Sequence, residues 1–129
     1  MSGVALRTGV DMVSVDRVSR MIELSGDAYL ETAWTAAEQA YCAGRPDRLA
    51  TRWAAKEATM KALGQGVGVI SPLDVEIRAG EGEPPTLLLH GSAAALAESL
   101  SLRTWSLSLT HEDHWAVAFV VAVGSTNDD

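Results

Sequence analysis

The spacing of apolar positions changes several times along the chain, and each change marks an element. From Val4 to Val15 apolar residues alternate imperfectly with small or polar ones. Val10, Met12, Val13 and Val15 predict a first strand, with Asp11 inside it. Val18, Met21, Ile22 and Leu24 then recur at helical spacing, with Asp16 near the start and Gly26 just past the end. Thr35 and Glu38 form a capping box that opens a second helix, which must stop by Gly44 or Arg45 because Pro46 follows. Asp47 is the expected cap of a third helix of about four to five turns. Its apolar stripe runs through Leu49, Trp53, Ala54, Ala58, Met60, Ala62 and Leu63, and it stops at Gly64.

The second half reads mostly as strands. Leu73–Arg78 alternates, Glu81–Pro85 suits a turn, and Thr86–Leu89 is the next strand. Gly91–Leu100 is alanine-rich and helical in character. Thr104–Thr110 and Trp115–Val123 are strands joined by a hairpin turn over His111–His114. The order is strand, three helices, two strands, helix, two strands. That order specifies an α+β domain with a mainly antiparallel sheet packed against helices. Residues 1–129 read as one domain, with a flexible acidic tail at 125–129.

Composition narrows the function. With 47% hydrophobic residues in 129, one packed core is sufficient and disorder is not expected. A net charge of −7 argues against nucleic-acid partners and against an anionic membrane surface. Positive charge is nonetheless clustered, at Arg17 and Arg20 and again at Arg45, Arg48 and Arg52. Cys42 is the only cysteine, which fits a reducing compartment and a cytoplasmic location. Val117–Val123 is too short to span a bilayer.

Two carboxylates attract attention. Asp11 in an apolar strand is expensive to bury unpaired, so it faces solvent at a sheet margin or serves as a rigidly held metal ligand. Glu57 and Lys61 are four apart on one helix face. They form either a surface ion pair worth roughly 0.2–0.5 kcal/mol, or a carboxylate for a hard cation beside an ammonium for a phosphate. Ala54 and Ala58 flank that stripe and admit close approach. His90, His111 and His114 with one cysteine make no zinc pattern. The glycines of Gly64–Gly68 follow a helix and meet its negative end, so Gly64 is more simply a C-cap than a phosphate cradle, although Gly66 and Gly68 permit close approach of a ligand.

Three segments together resemble the small holo-acyl-carrier-protein synthases, a branch of the 4′-phosphopantetheinyl transferases. They are Gly9-Val10-Asp11-Met12-Val13; Arg52-Trp53-Ala54-Ala55-Lys56-Glu57-Ala58 with Lys61-Ala62-Leu63-Gly64 and Gly66; and Ser106-Leu107-Ser108-Leu109-Thr110-His111. The resemblance implies an α+β fold, a homotrimer with sites between subunits, and transfer of 4′-phosphopantetheine from coenzyme A to a serine of an apo-acyl carrier protein. It implies Asp11 and Glu57 as magnesium ligands and, with Lys61, as catalytic residues. Lys61, His111, Gly64 and Gly66 fall at coenzyme A-binding positions, and Arg17 and Arg20 on the face that docks the acidic carrier. Trp53 and Trp34 stand where phenylalanine is common, and Thr110 where serine is frequent. The carrier is one of fatty-acid or polyketide synthesis. The competing reading is a noncatalytic trimeric protein that retains the fold.

Overall fold

The computed structural model describes residues 2–79 and 82–127. Its elements are β1 (Ser2–Ser14), α1 (Val15–Ser25), α2 (Asp27–Ala33), α3 (Ala36–Cys42), α4 (Pro46–Leu63), a 3-10 turn (Pro72–Asp74), β2 (Val75–Arg78), β3 (Thr86–Leu89), α5 (Gly91–Ser99), β4 (Thr104–Glu112) and β5 (Trp115–Asn127). β1, β5 and β4 form an antiparallel sheet in that order, and β2 and β3 pair separately. The expected antiparallel α+β architecture is present, divided between two sheets.

Small side chains decide how the layers meet. Along β5, Ala116, Ala118, Val120 and Ala122 are buried, and they face a helix whose buried positions include Ala54, Ala55, Ala58 and Ala62. At Gly9 of β1 a Cβ would overlap the carbonyl of Ala58, so only glycine lets strand and helix come this close. The opposite face of the sheet is also apolar. Val4, Leu6, Val10 and Met12 of β1, with Phe119 and Val123 of β5, are exposed.

Several elements differ from the pattern read along the sequence: Val15 opens α1 rather than closing β1, and His111 and Glu112 extend β4, leaving Asp113 and His114 as the turn. α2 is an additional helix between Gly26 and Thr35. At seven residues it is too short to hold itself, and packing supports it: Ala33 and Trp34 are buried with Val18 and Leu49, and Tyr29 and Leu30 pack against them. The Trp34 indole Nε1 donates to the Leu49 carbonyl at 3.1 Å. Asp47 is not the cap of α4. Pro46 takes the first helical position, Arg45 precedes it, and the Arg45 guanidinium bonds Asp47 Oδ2 at 2.9 Å, holding its carboxyl below the usual range. Leu73 and Asp74 belong to the 3-10 turn rather than to β2. β5 continues through Ser125–Asn127, paired with Ser2–Val4, so that much of the expected tail is strand. Asp128 and Asp129 lie outside the described residues, as does Glu81 of the expected turn. The capping box at Thr35 and Glu38 and the left-handed stop at Gly64 (φ 79°) form as the sequence predicts. Among the described residues no helix is long and apolar enough to cross a membrane.

Candidate active site

Side chains alternate across a strand, so Asp11 shares the face of Gly9 and points toward α4. One residue before Ala58, α4 presents Glu57. The two carboxylates border one concavity of about 500 Å³, whose wall also includes Val13, Arg17, Trp53 and Trp115. Chain segments 46 residues apart (57 − 11) are thus brought together by the Gly9–Ala58 approach.

The charges here are poorly balanced. Lys61 does not pair with Glu57 one turn away. Its Nζ donates to the Val10 carbonyl at 2.9 Å and to Asp11 Oδ1 at 3.1 Å. β1 offers two acceptors side by side, which outcompetes the neighbouring turn of the helix. Burial raises the Glu57 carboxyl above its ordinary range, the Asp11 charge raises it further, and Lys61 opposes both. No hydrogen bond among the described residues contributes to holding that carboxylate. Two hard oxygen donors with one ammonium between them suit a divalent cation.

The donor set also limits which cation. Among the described residues no three His, Cys, Asp or Glu side chains gather into a cage. Two carboxylates leave most of an octahedral shell to water and phosphate oxygens, which fits magnesium and does not fit a structural zinc.

The other expected residues fall into two groups. Lys61, Gly64 and Gly66 line an adjoining concavity of about 300 Å³ that also reaches Glu57. Arg17 borders the carboxylate concavity and, with Arg20 and Met21, the next one along. The surface therefore runs from Gly66 past Lys61, Glu57 and Asp11 to Arg17 and Arg20. His111 is not part of that run within one chain. It lines a separate concavity of about 350 Å³ with Tyr41, Arg45, Arg48 and Arg52, and its Nε2 lies 3.9 Å from Asp47 Oδ2. The guanidiniums of Arg48 and Arg52 sit 4.9 and 4.6 Å from the centre of the Tyr41 ring. Three arginines ring this opening, which Asp47 and Glu83 also line, and Arg45 is paired with Asp47, so Arg48 and Arg52 carry its excess positive charge. That these three arginines cluster was visible in the sequence, but the stacking of Arg48 and Arg52 on Tyr41 was not.

Lys56 is the residue that sequence reasoning passed over. It is fully buried, and its Nζ donates to Glu38 Oε1 (2.7 Å), the Pro72 carbonyl (2.8 Å) and the Val75 carbonyl (2.6 Å). Glu38 in turn accepts from the backbone N–H of Thr35 and of Ile77. Burial pulls the Lys56 ammonium down from its ordinary range, while Glu38 pulls it back up. A signal was available: Lys56 lies seven residues from both Leu49 and Leu63, on the buried stripe of the helix.

Comparison with known proteins identifies the family and the fold. The family model of the 4′-phosphopantetheinyl transferase superfamily matches residues 7–120. A holo-[acyl-carrier-protein] synthase of Herpetosiphon aurantiacus is 40% identical over 126 residues, covering 92% of this chain and 99% of the relative. One from Desulforudis audaxviator is 43% identical over 122 residues, covering 92% and 93%. Among solved structures, the Helicobacter pylori holo-[acyl-carrier-protein] synthase in complex with coenzyme A superposes with a TM-score of 0.81 at 28% identity, covering 89% of this chain and 98% of that one. The Neisseria meningitidis enzyme gives 0.80 at 32% identity, covering 90% and 96%.

Proposed function

Because the chain belongs to the 4′-phosphopantetheinyl transferase superfamily, we propose that it moves the 4′-phosphopantetheine arm of coenzyme A onto a serine of an apo-acyl carrier protein. The observation that carries this reading is the convergence of Asp11 and Glu57 on one concavity with too little positive charge to balance them. Those two carboxylates would hold magnesium, which when bound supplies positive charge to the diphosphate of coenzyme A.

The remaining work falls to the chain. Lys61, which already reaches across to Asp11, offsets phosphate charge next to the glycines at Gly64 and Gly66. The carrier serine Oγ attacks the phosphorus bearing pantetheine. The bond from that phosphorus to the oxygen of the second phosphate breaks, and adenosine 3′,5′-bisphosphate leaves. The serine proton passes to Glu57 or to a water it holds. Alignment and charge stabilisation supply most of the acceleration.

A homotrimer completes the reading. The exposed apolar face of β1 and β5 needs cover. His111 and the arginines of its opening lie apart from the Asp11 and Glu57 carboxylates in one chain, so a neighbouring copy would bring Arg48, Arg52 and His111 to them. Arg17 and Arg20, at the other end of the run, would dock the acidic carrier. This chemistry belongs in the cytoplasm, where carriers of fatty-acid or polyketide synthesis acquire their arm.

The test is mass spectrometry of a purified apo-carrier incubated with coenzyme A, magnesium and this protein. The carrier should gain the mass of one phosphopantetheine, and the gain should stop when the metal is chelated. Glu57→Gln should lower the rate roughly 100- to 1000-fold with an unchanged circular-dichroism spectrum. An undiminished rate in that variant removes the proposed role of the carboxylate.

A further inference from the structure

The face of α4 that meets the sheet is built from alanine against alanine and glycine. Ala54, Ala55, Ala58 and Ala62 are buried on the helix, and Ala118 and Ala122 on β5. Such faces pack closely but interlock little. Helices ordinarily fix their phase and height by seating large side chains in grooves; α4 does so with Leu49 near its start and Met60 and Leu63 near its end, and between them Lys56 is the largest fully buried side chain. Glu57 projects from this helix with no hydrogen bond among the described residues to steady its carboxylate. Its direction therefore depends on how α4 as a whole is held.

Lys56 supplies a hold that the alanines lack. Its single nitrogen meets three acceptors from three different elements: Glu38 on α3, Pro72 in the 3-10 turn and Val75 at the start of β2. Three short, directional bonds to one atom define a position, whereas apolar burial alone does not. The clamp lies one residue from Glu57, and an adjacent residue on a helix cannot turn independently of it. On the other side, the Ala58 carbonyl rests on Gly9. From these contacts we infer that Lys56, through the buried carboxylate of Glu38, is a positioning residue that sets the rotation of α4 and so aims Glu57 at Asp11. The inference rests on the transfer reading above.

The experiment compares Glu38→Gln/Lys56→Met with the unaltered chain. The double variant removes both buried charges together, so neither is left uncompensated, yet the three-acceptor clamp is gone. Three quantities are read: thermal melting, the kinetics of carrier labelling, and affinity for manganese(II) as an EPR-visible probe of the two carboxylates. A positioning role lowers kcat and weakens manganese binding by roughly 10- to 100-fold each in folded protein, while KM for coenzyme A changes about twofold or less. A merely structural role leaves kcat and manganese affinity of the folded protein at their original values, and that result overturns the inference. Lys56→Arg is the second variant should the first not fold. It keeps the charge beside Glu38, but a planar guanidinium cannot present one nitrogen to three converging acceptors. It should lose kcat and manganese affinity in the same way, and full retention of both again overturns the inference. Failure of the unaltered chain to label any carrier or bind manganese would instead sink the transfer reading beneath it.

Discussion

Two lysine–carboxylate pairs lie five residues apart on α4, and they are opposites. Lys56 and Glu38 are sealed from water, and the ammonium and both carboxylate oxygens are fully occupied. Lys61 and Asp11 meet at the surface at 3.1 Å, with Lys61 more than half exposed and Glu57 beside them unbalanced. The first pair has nothing left to offer a ligand. The second has oxygen lone pairs and an ammonium still to commit. A count of charges along the helix does not separate them, whereas satisfaction of each polar atom does.

The comparison breaks most visibly at the buried pair. Lys56→Met leaves Glu38 charged and enclosed, and the chain should lose about 3–5 kcal/mol of stability in urea titration. A loss below about 1 kcal/mol, the level of a surface pair, would mean that the two pairs do not differ in kind. The open side is sharpened next by Arg17→Glu, which reverses the charge bordering the carboxylate concavity. Carrier KM should rise about tenfold with KM for coenzyme A unchanged, and equal carrier kinetics would reject the docking role.

The smallest effect concerns stability at Glu57. Its folded-state carboxyl titrates above the ordinary range. Across that window the folded chain holds a proton that the unfolded chain has shed, so stability falls as pH climbs through it. Glu57→Gln removes the penalty. The metal-free variant should melt slightly higher than the parent at neutral pH, and the gain should shrink as pH is lowered toward the ordinary carboxylate range. A lower melting temperature at neutral pH would show that the charge is already compensated. A variant that gains stability while losing transfer would mark a group kept for chemistry.

Local signals were legible wherever local chemistry decides. The Thr35–Glu38 box, the glycine stop of α4 and the alternation in β5 needed no tertiary information. α2 was not legible because its seven residues are helical only through Trp34 and its neighbours. Asp47 was misjudged because Pro46 already begins the helix and Arg45 engages the carboxylate. In the site, motif spacing picked out Asp11, Glu57 and Lys61, but their meeting depends on Gly9 lying under Ala58, which no periodicity reports. Lys61 reaching Asp11 rather than Glu57 depends on the same approach. Glu38 read only as a capping residue, since a helix cap gives no hint that its carboxylate also holds Lys56 and Ile77.

The bare Cα of Gly9 has one more implication. Where two backbones rest on each other, the gauge between strand and helix is fixed by main-chain atoms and not by whichever side chains surround them. Residues around the opening can be exchanged to suit a different carrier or donor without altering that gauge. A single methyl group at residue 9, far smaller than any of those exchanges, would act as a wedge and prise the two acidic groups apart.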